Sequence, residues 1–139
     1  MARAAGGLLG DVLHGPLAYL GLMKKKPLPL SKRFEYSVDG IKAAWEAESS
    51  LRLEAAAVLL VFILLAVFRA PLVWCAIFTL LAAGILSAEL MNTAIENMCD
   101  LFHPEVHSRI KVAKDCASAA VFVLNTAGLL TLFIFFLSR

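Results

Sequence analysis

The chain has 139 residues, of which 60% are apolar and only 17% charged, and its net charge is +2. A soluble domain runs nearer ~45–50% apolar and ~25% charged, so this composition excludes a disordered chain and an ordinary soluble globule, and the weak positive charge gives no support to a nucleic-acid binder. Cys75, Cys99 and Cys116 lie in or beside apolar runs with no C-x-x-C pair, so no disulfide framework is implied. A small integral membrane protein is the class that remains.

Residues 1–30 read as an N-terminal extension ending in a basic linker. The segment is Gly-rich and apolar, is broken at Gly15-Pro16, and lacks the pattern of a signal peptide. Lys24, Lys25 and Lys26 suit anionic headgroups, at ~1 kcal/mol each, or plain solvation. Residues 31–139 form the membrane domain. It opens with Ser31 as a candidate N-cap, then Phe34, Val38, Ile41 and Trp45 at helical spacing. That pattern predicts an amphipathic surface helix over 31–46, too polar to span.

Three spans follow, at about 49–68, 72–100 and 114–137. The run Ala55–Phe68 has only 14 residues, so a span of ~20 must start near Ser49 and carry Arg52 and Glu54 at the interface. Arg69-Ala70-Pro71 breaks the chain. The second run, Leu72–Ala88, keeps its helical pattern to Asp100. His103-Pro104-Glu105 marks a polar loop, and the third run, Ala117–Leu137, is 21 residues without a charge. Of the 13 Lys and Arg residues, eight precede Ala55, one lies in the first turn, three lie between Leu101 and Cys116, and one ends the chain. The positive-inside rule then places the N-terminus and the second loop in the cytoplasm.

The second span holds residues that a bilayer should reject. With Glu89 at 0° and about 100° per residue, Asn92 falls near 300°, Glu96 near 340° and Asp100 near 20°. Three carboxylates and an amide thus form a polar ladder on one side of an otherwise apolar helix. A carboxylate at the bilayer centre costs ~2.5 kcal/mol or more. The ladder therefore either faces a bundle interior or a cleft, or is a solvated extension beyond a span that ends at Ala88.

Before the first span, Glu48 and Arg52 are spaced to pair at i,i+4. Alternatively, Glu48 joins Glu96 around Mg²⁺, which takes one or two carboxylates together with substrate phosphates. Lys114, Ser118 and Asn125 share an arc of about 40°, with Lys114 either a phosphate ligand or a snorkelling interface lysine. His103 and His107 make a weak metal pair. The P-loop, the Rossmann turn and the G-x-S-x-G elbow are all absent from the sequence.

Glu89-Leu-Met-Asn-Thr-Ala-Ile-Glu96, then Asp100, then Ala113-Lys-Asp115, resemble the signature E-x-x-N-[ST]-A-I-E-x-x-x-D followed by A-K-D. This is the small prokaryotic diacylglycerol kinase family, which also contains undecaprenol kinases, and the likeness runs from about Ser31 to the C-terminus. The resemblance implies an all-α homotrimer of three-span subunits with a surface helix, working in the bacterial inner membrane with Mg²⁺ and ATP. By matching position it implies Glu89 as the general base, with Asn92 beside it in the active site, and Glu48 and Glu96 as the Mg²⁺ carboxylates. Tyr36, Glu105, His107, Lys114 and Asp115 would join Glu48 and Glu96 around ATP. Ser50, Leu51, Arg52, Leu53, Glu54 and Ser118 would lie along the lipid with Glu89. Where the family places an arginine before the surface helix, this chain has Pro29, with Lys32 and Arg33 close by. Nothing in the likeness reaches residues 1–30.

The expected activity is phosphorylation of a lipid hydroxyl. Glu54 and Ser118-Ala-Ala-Val121 are closer to the diacylglycerol branch, and undecaprenol is the alternative acceptor. A small ion or proton transporter would use the same carboxylates as ion ligands. A non-enzymatic scaffold would need none of them. Ala82, Ala83, Gly84, Ala88 and Ala94 predict close helix approach and a homo-oligomer with composite sites.

Overall fold

A computed structural model describes residues 28–102 and 107–139. The expectations for Lys24–Lys26, His103 and Glu105 lie outside these residues. The chain divides into two compact units, Met1–Val38 and Asp39–Arg139. Four helices are described: α1 (Leu30–Ala47), α2 (Ser49–Val67), α3 (Leu72–Phe102) and α4 (Ser108–Leu137). The last three are long and apolar enough to cross a membrane.

Helix α1 starts one residue before Ser31. The Pro29 carbonyl accepts from the amides of Lys32 and Arg33 at 3.0 and 3.2 Å, so backbone rather than a serine side chain closes the first turn. Lys32 and Glu35 pair one turn apart at 2.7 Å. In the second unit, Ile41 and Trp45 remain exposed while Ala44 is buried. Glu48 separates α1 from α2: its amide donates to the Ala44 carbonyl at 2.8 Å, and its own backbone is extended (φ −107°, ψ 118°).

Helix α2 ends in a Schellman motif. The Ala70 amide reaches the Leu65 carbonyl at 2.8 Å, the Arg69 amide reaches Ala66 at 3.0 Å, and Arg69 takes φ 50°. Pro71 then starts the next helix, its carbonyl accepting from Trp74 at 2.9 Å. Helix α3 has no break at Ala88 and runs through the whole ladder to Phe102. Helix α4 begins at Ser108, before the expected start near 114. His107 caps it, its Nδ1 accepting from the Arg109 amide at 3.2 Å, and Lys111–Asp115 at 2.6 Å braces the first turns.

At about 1.5 Å per residue, the 19 residues of α2 span about 28 Å, close to a ~30 Å hydrocarbon core. The 31 residues of α3 and 30 of α4 span about 45 Å each. Their surplus is shared, because the end of α3 and the start of α4 stand together, where Lys114 pairs with Asp100. Since α2, α3 and α4 run antiparallel in turn, the start of α2 stands at that same end. We call it the loop end, and the Phe68–Pro71 side the turn end.

Helix α3 is central and packs against both α2 and α4. The apolar core lies toward the turn end, where Leu65, Phe78 and Phe135 are buried with Trp74, Leu81 and Leu132 around them. Trp74 and Phe135 meet edge to face at 5.4 Å, and the Arg139 guanidinium lies 5.1 Å from the Phe68 ring. A β-carbon at Gly84 would rest 3.7 Å from Leu124, and one at Gly128 would rest 3.5 Å from Ile85. Gly84 thus faces α4 of its own chain rather than standing free for a second copy. Ala83 and Ala94, by contrast, are exposed.

Candidate functional site

The ladder is graded in burial. Glu89 is 3% exposed, Asn92 and Glu96 are half-buried, and Asp100 is exposed near the loop end. The helix thus carries its acids from the packed bundle out toward water. The alternative of a solvated extension fails at Glu89, which the chain's own helices cover. Asn92 Nδ2 donates to Glu96 Oε1 at 3.0 Å, fixing that carboxylate. Asn92 Oδ1 is buried and has no hydrogen-bond partner. Thr93 is 6% exposed, and its buried hydroxyl is unpartnered as well.

Helix α4 brings Lys114 onto the ladder. Its Nζ lies 2.6 Å from Asp100 Oδ1, with the side chains 32% and 67% exposed respectively. An ion pair this wet holds its partners weakly and leaves the ammonium free to exchange the carboxylate for a phosphate. Asp115 is engaged instead with Lys111 on the exposed side. His107 serves as the helix cap, and with Nδ1 accepting, the neutral ring carries its proton on Nε2.

Helix α2 contributes Glu48, Arg52 and Glu54. Arg52 does not pair with Glu48. Its Nη1 donates to the carbonyls of Trp45 at 2.5 Å and Glu46 at 3.3 Å, capping the end of α1, where carbonyls lack intrahelical partners. Among the described residues, no hydrogen bond or ion pair engages the Glu48 side chain, which stands at the N-terminus of α2, where a negative charge is favoured. Ser50, Leu53 and Ser118 are exposed, but Leu51 is 4% exposed and packs within the chain. Tyr36 belongs to the unit ending at Val38.

Sequence reasoning did not find the partner of Glu54. Asn125 Nδ2 of α4 donates to Glu54 Oε1 at 2.5 Å, joining residues 71 apart. The only advance signal was an asparagine within a charge-free span, which marks either a polar partner or a functional position.

The donor set at the loop end suits Mg²⁺. The carboxylates of Glu48 and Glu96 and the orphaned amide oxygen of Asn92 are hard oxygens, which this cation takes together with water and phosphate. Among the described residues, no three His, Cys, Asp or Glu side chains gather into a metal cage. A cation that relies on substrate phosphates for much of its shell needs no such cage.

Spanning helices with carboxylates and a lysine collected at one membrane face define a membrane protein with a polar interfacial site. Residues 35–136 match the family described as prokaryotic diacylglycerol kinase. The undecaprenol kinase of Bacillus subtilis (strain 168) is 32% identical over 113 residues, covering 79% of this chain and 92% of that protein. The diacylglycerol kinase of Escherichia coli (strain K12) is 30% identical over 96 residues, 69% of this chain and 79% of that protein. The diacylglycerol kinase of Helicobacter pylori is 34% identical over 91 residues, 66% and 71% of the two chains. The chain belongs to the prokaryotic diacylglycerol kinase family and is a membrane lipid kinase.

Proposed function

We propose that the chain transfers the γ-phosphoryl group of Mg-ATP to the hydroxyl of diacylglycerol, giving phosphatidic acid and ADP. The observation that carries this reading is the placement of Glu89. It is a buried carboxylate on the central helix, just inside the point where the ladder emerges toward the loop end. A lipid hydroxyl rests at the membrane interface, and phosphoryl transfer needs a group there to accept its proton. Glu89 takes that proton as the lipid oxygen bonds to the γ-phosphorus and the bond to ADP breaks. Asn92 holds Glu96 in place. Glu48 and Glu96 would hold Mg²⁺, which when bound would offset the negative charge of the phosphates. Lys114 leaves Asp100 for a phosphate oxygen, and Tyr36, Glu105, His107 and Asp115 complete the nucleotide site.

The charge distribution supports a cytoplasmic N-terminus and loop end in a bacterial inner membrane, where ATP is available. The assembly in this reading is a homotrimer with α1 on the membrane surface. Undecaprenol is the second acceptor to consider, because the Bacillus subtilis relative is matched over 92% of its length. One purified sample, offered labelled ATP with dioleoylglycerol or undecaprenol in mixed micelles, tests both acceptors. Transfer to dioleoylglycerol with the higher kcat/KM is expected. A preference for undecaprenol reverses the substrate assignment, and transfer to neither defeats the reading. Omitting Mg²⁺ should abolish turnover, and Glu48→Ala and Glu96→Ala should each raise the Mg²⁺ requirement. Overlaying titrations would remove both residues from the metal.

A further inference from the structure

A cavity of about 210 Å³ lies among α2, α3 and α4, lined by apolar side chains such as Val58, Phe62, Phe78, Ile85 and Leu129. Two polar side chains reach it, Glu54 and Asn125, and they are bonded to each other. One oxygen of the Glu54 carboxylate is thereby occupied, while the other, Oε2, is buried and has no partner. A buried acceptor left unpaired is costly, and in a span it marks a place where a donor arrives from outside the fold. The walls call for hydrocarbon and the oxygen for a hydroxyl. An amphiphile whose hydroxyl sits close to its chains offers both.

We infer that Asn125 is a positioning residue for the lipid acceptor: its amide fixes Glu54 so that the free Oε2 receives the lipid hydroxyl on docking, while the adjoining hydrocarbon enters the cavity. The inference rests on the lipid-alcohol reading above. The docking bond precedes transfer, and the proton still leaves to Glu89 when the phosphoryl group moves. Asn125 touches no reacting atom. Without its amide, both carboxylate oxygens lack a fixed donor and Glu54 turns away from the cavity.

The test is a kinetic split on the full chain in mixed micelles, with dioleoylglycerol and ATP varied separately. Asn125→Leu keeps the bulk and removes the amide. It should raise the KM for lipid about tenfold, the scale of a hydrogen bond to a charged group, with kcat and the KM for ATP within about twofold. Asn125→Gln, which restores the amide, should recover most of the loss. In a Glu54→Gln background, Asn125→Leu should add little, because the two act as one unit. Asn125→Ala serves if the leucine variant does not insert. An unchanged lipid KM overturns the inference, as do additive effects in the double variant. A rise in both KM values that follows a fall in thermal stability also overturns it, by making Asn125 merely structural. Wild-type protein that phosphorylates no lipid alcohol defeats the proposed function instead, and is distinguishable because the variants then have no reference turnover.

Discussion

Glu89 is covered by its own chain, whereas Asp100, eleven residues on, lies in water. A carboxylate kept from water yet beside the interface suits proton abstraction from a lipid hydroxyl better than one fully solvated. Glu89→Gln retains the shape and removes the proposed base, so turnover should fall by at least ~10² while the thermal midpoint stays the same or rises. Near-normal turnover would remove Glu89 from the chemistry. The ladder itself was legible in the sequence, since helical spacing alone puts Glu89, Asn92, Glu96 and Asp100 on one side. Its partners were not. Arg52 was spaced for Glu48 but caps carbonyls of α1, and Glu54 finds Asn125 across 71 residues. Local periodicity carries no information on which helices meet, so both outcomes had to come from packing.

At the scale of elements, the three spans could be read because charge-free runs of that length have few other uses. Their ends were less legible. Helix α4 starts at Ser108 because His107, an uncommon cap, satisfies an early amide and Lys111 pairs with Asp115. The turn after α2 likewise closes without the usual glycine. Arg69 at φ 50° occupies the position a Schellman motif reserves for a residue tolerant of left-handed backbone. Arg69→Gly should relieve that strain. After allowing for the freer unfolded chain, a gain of about 0.5–1 kcal/mol is expected, read as a higher midpoint in detergent denaturation. An unchanged or lower midpoint would mean that the arginine side chain contributes more to the turn end than its backbone costs.

At the scale of the whole molecule, the two ends of the bundle differ in kind. The turn end is aromatic and packed, while the loop end carries the acids, the lysine and the uncommitted Glu48. One chain buries Glu89 without help, so burial of the proposed base is no reason to assemble. The proposed metal ligands, Glu48 and Glu96, are where assembly would show, since among the described residues no three His, Cys, Asp or Glu side chains gather into a cage. If these two act from different subunits, mixing inactive Glu48→Ala chains with inactive Glu96→Ala chains should restore part of the wild-type rate. No recovery, in samples that cross-link as oligomers, would place both ligands in one chain. Cross-linking that yields only monomer in an active sample would defeat the trimer.

The unequal lengths of the helices make the bilayer itself a reagent. Only α2, at about 28 Å, matches a typical hydrocarbon thickness. The projecting ends of α3 and α4 stay in water only while the lipid is no thicker than that. A thicker bilayer would either tilt the bundle or draw Glu96 and Asp100 toward the acyl chains, each costing fractions of a kcal/mol per ångström. Turnover measured across phosphatidylcholines of increasing chain length should therefore peak near the thickness that α2 matches and decline beyond it. A flat profile would show that the polar end rides free of hydrophobic mismatch.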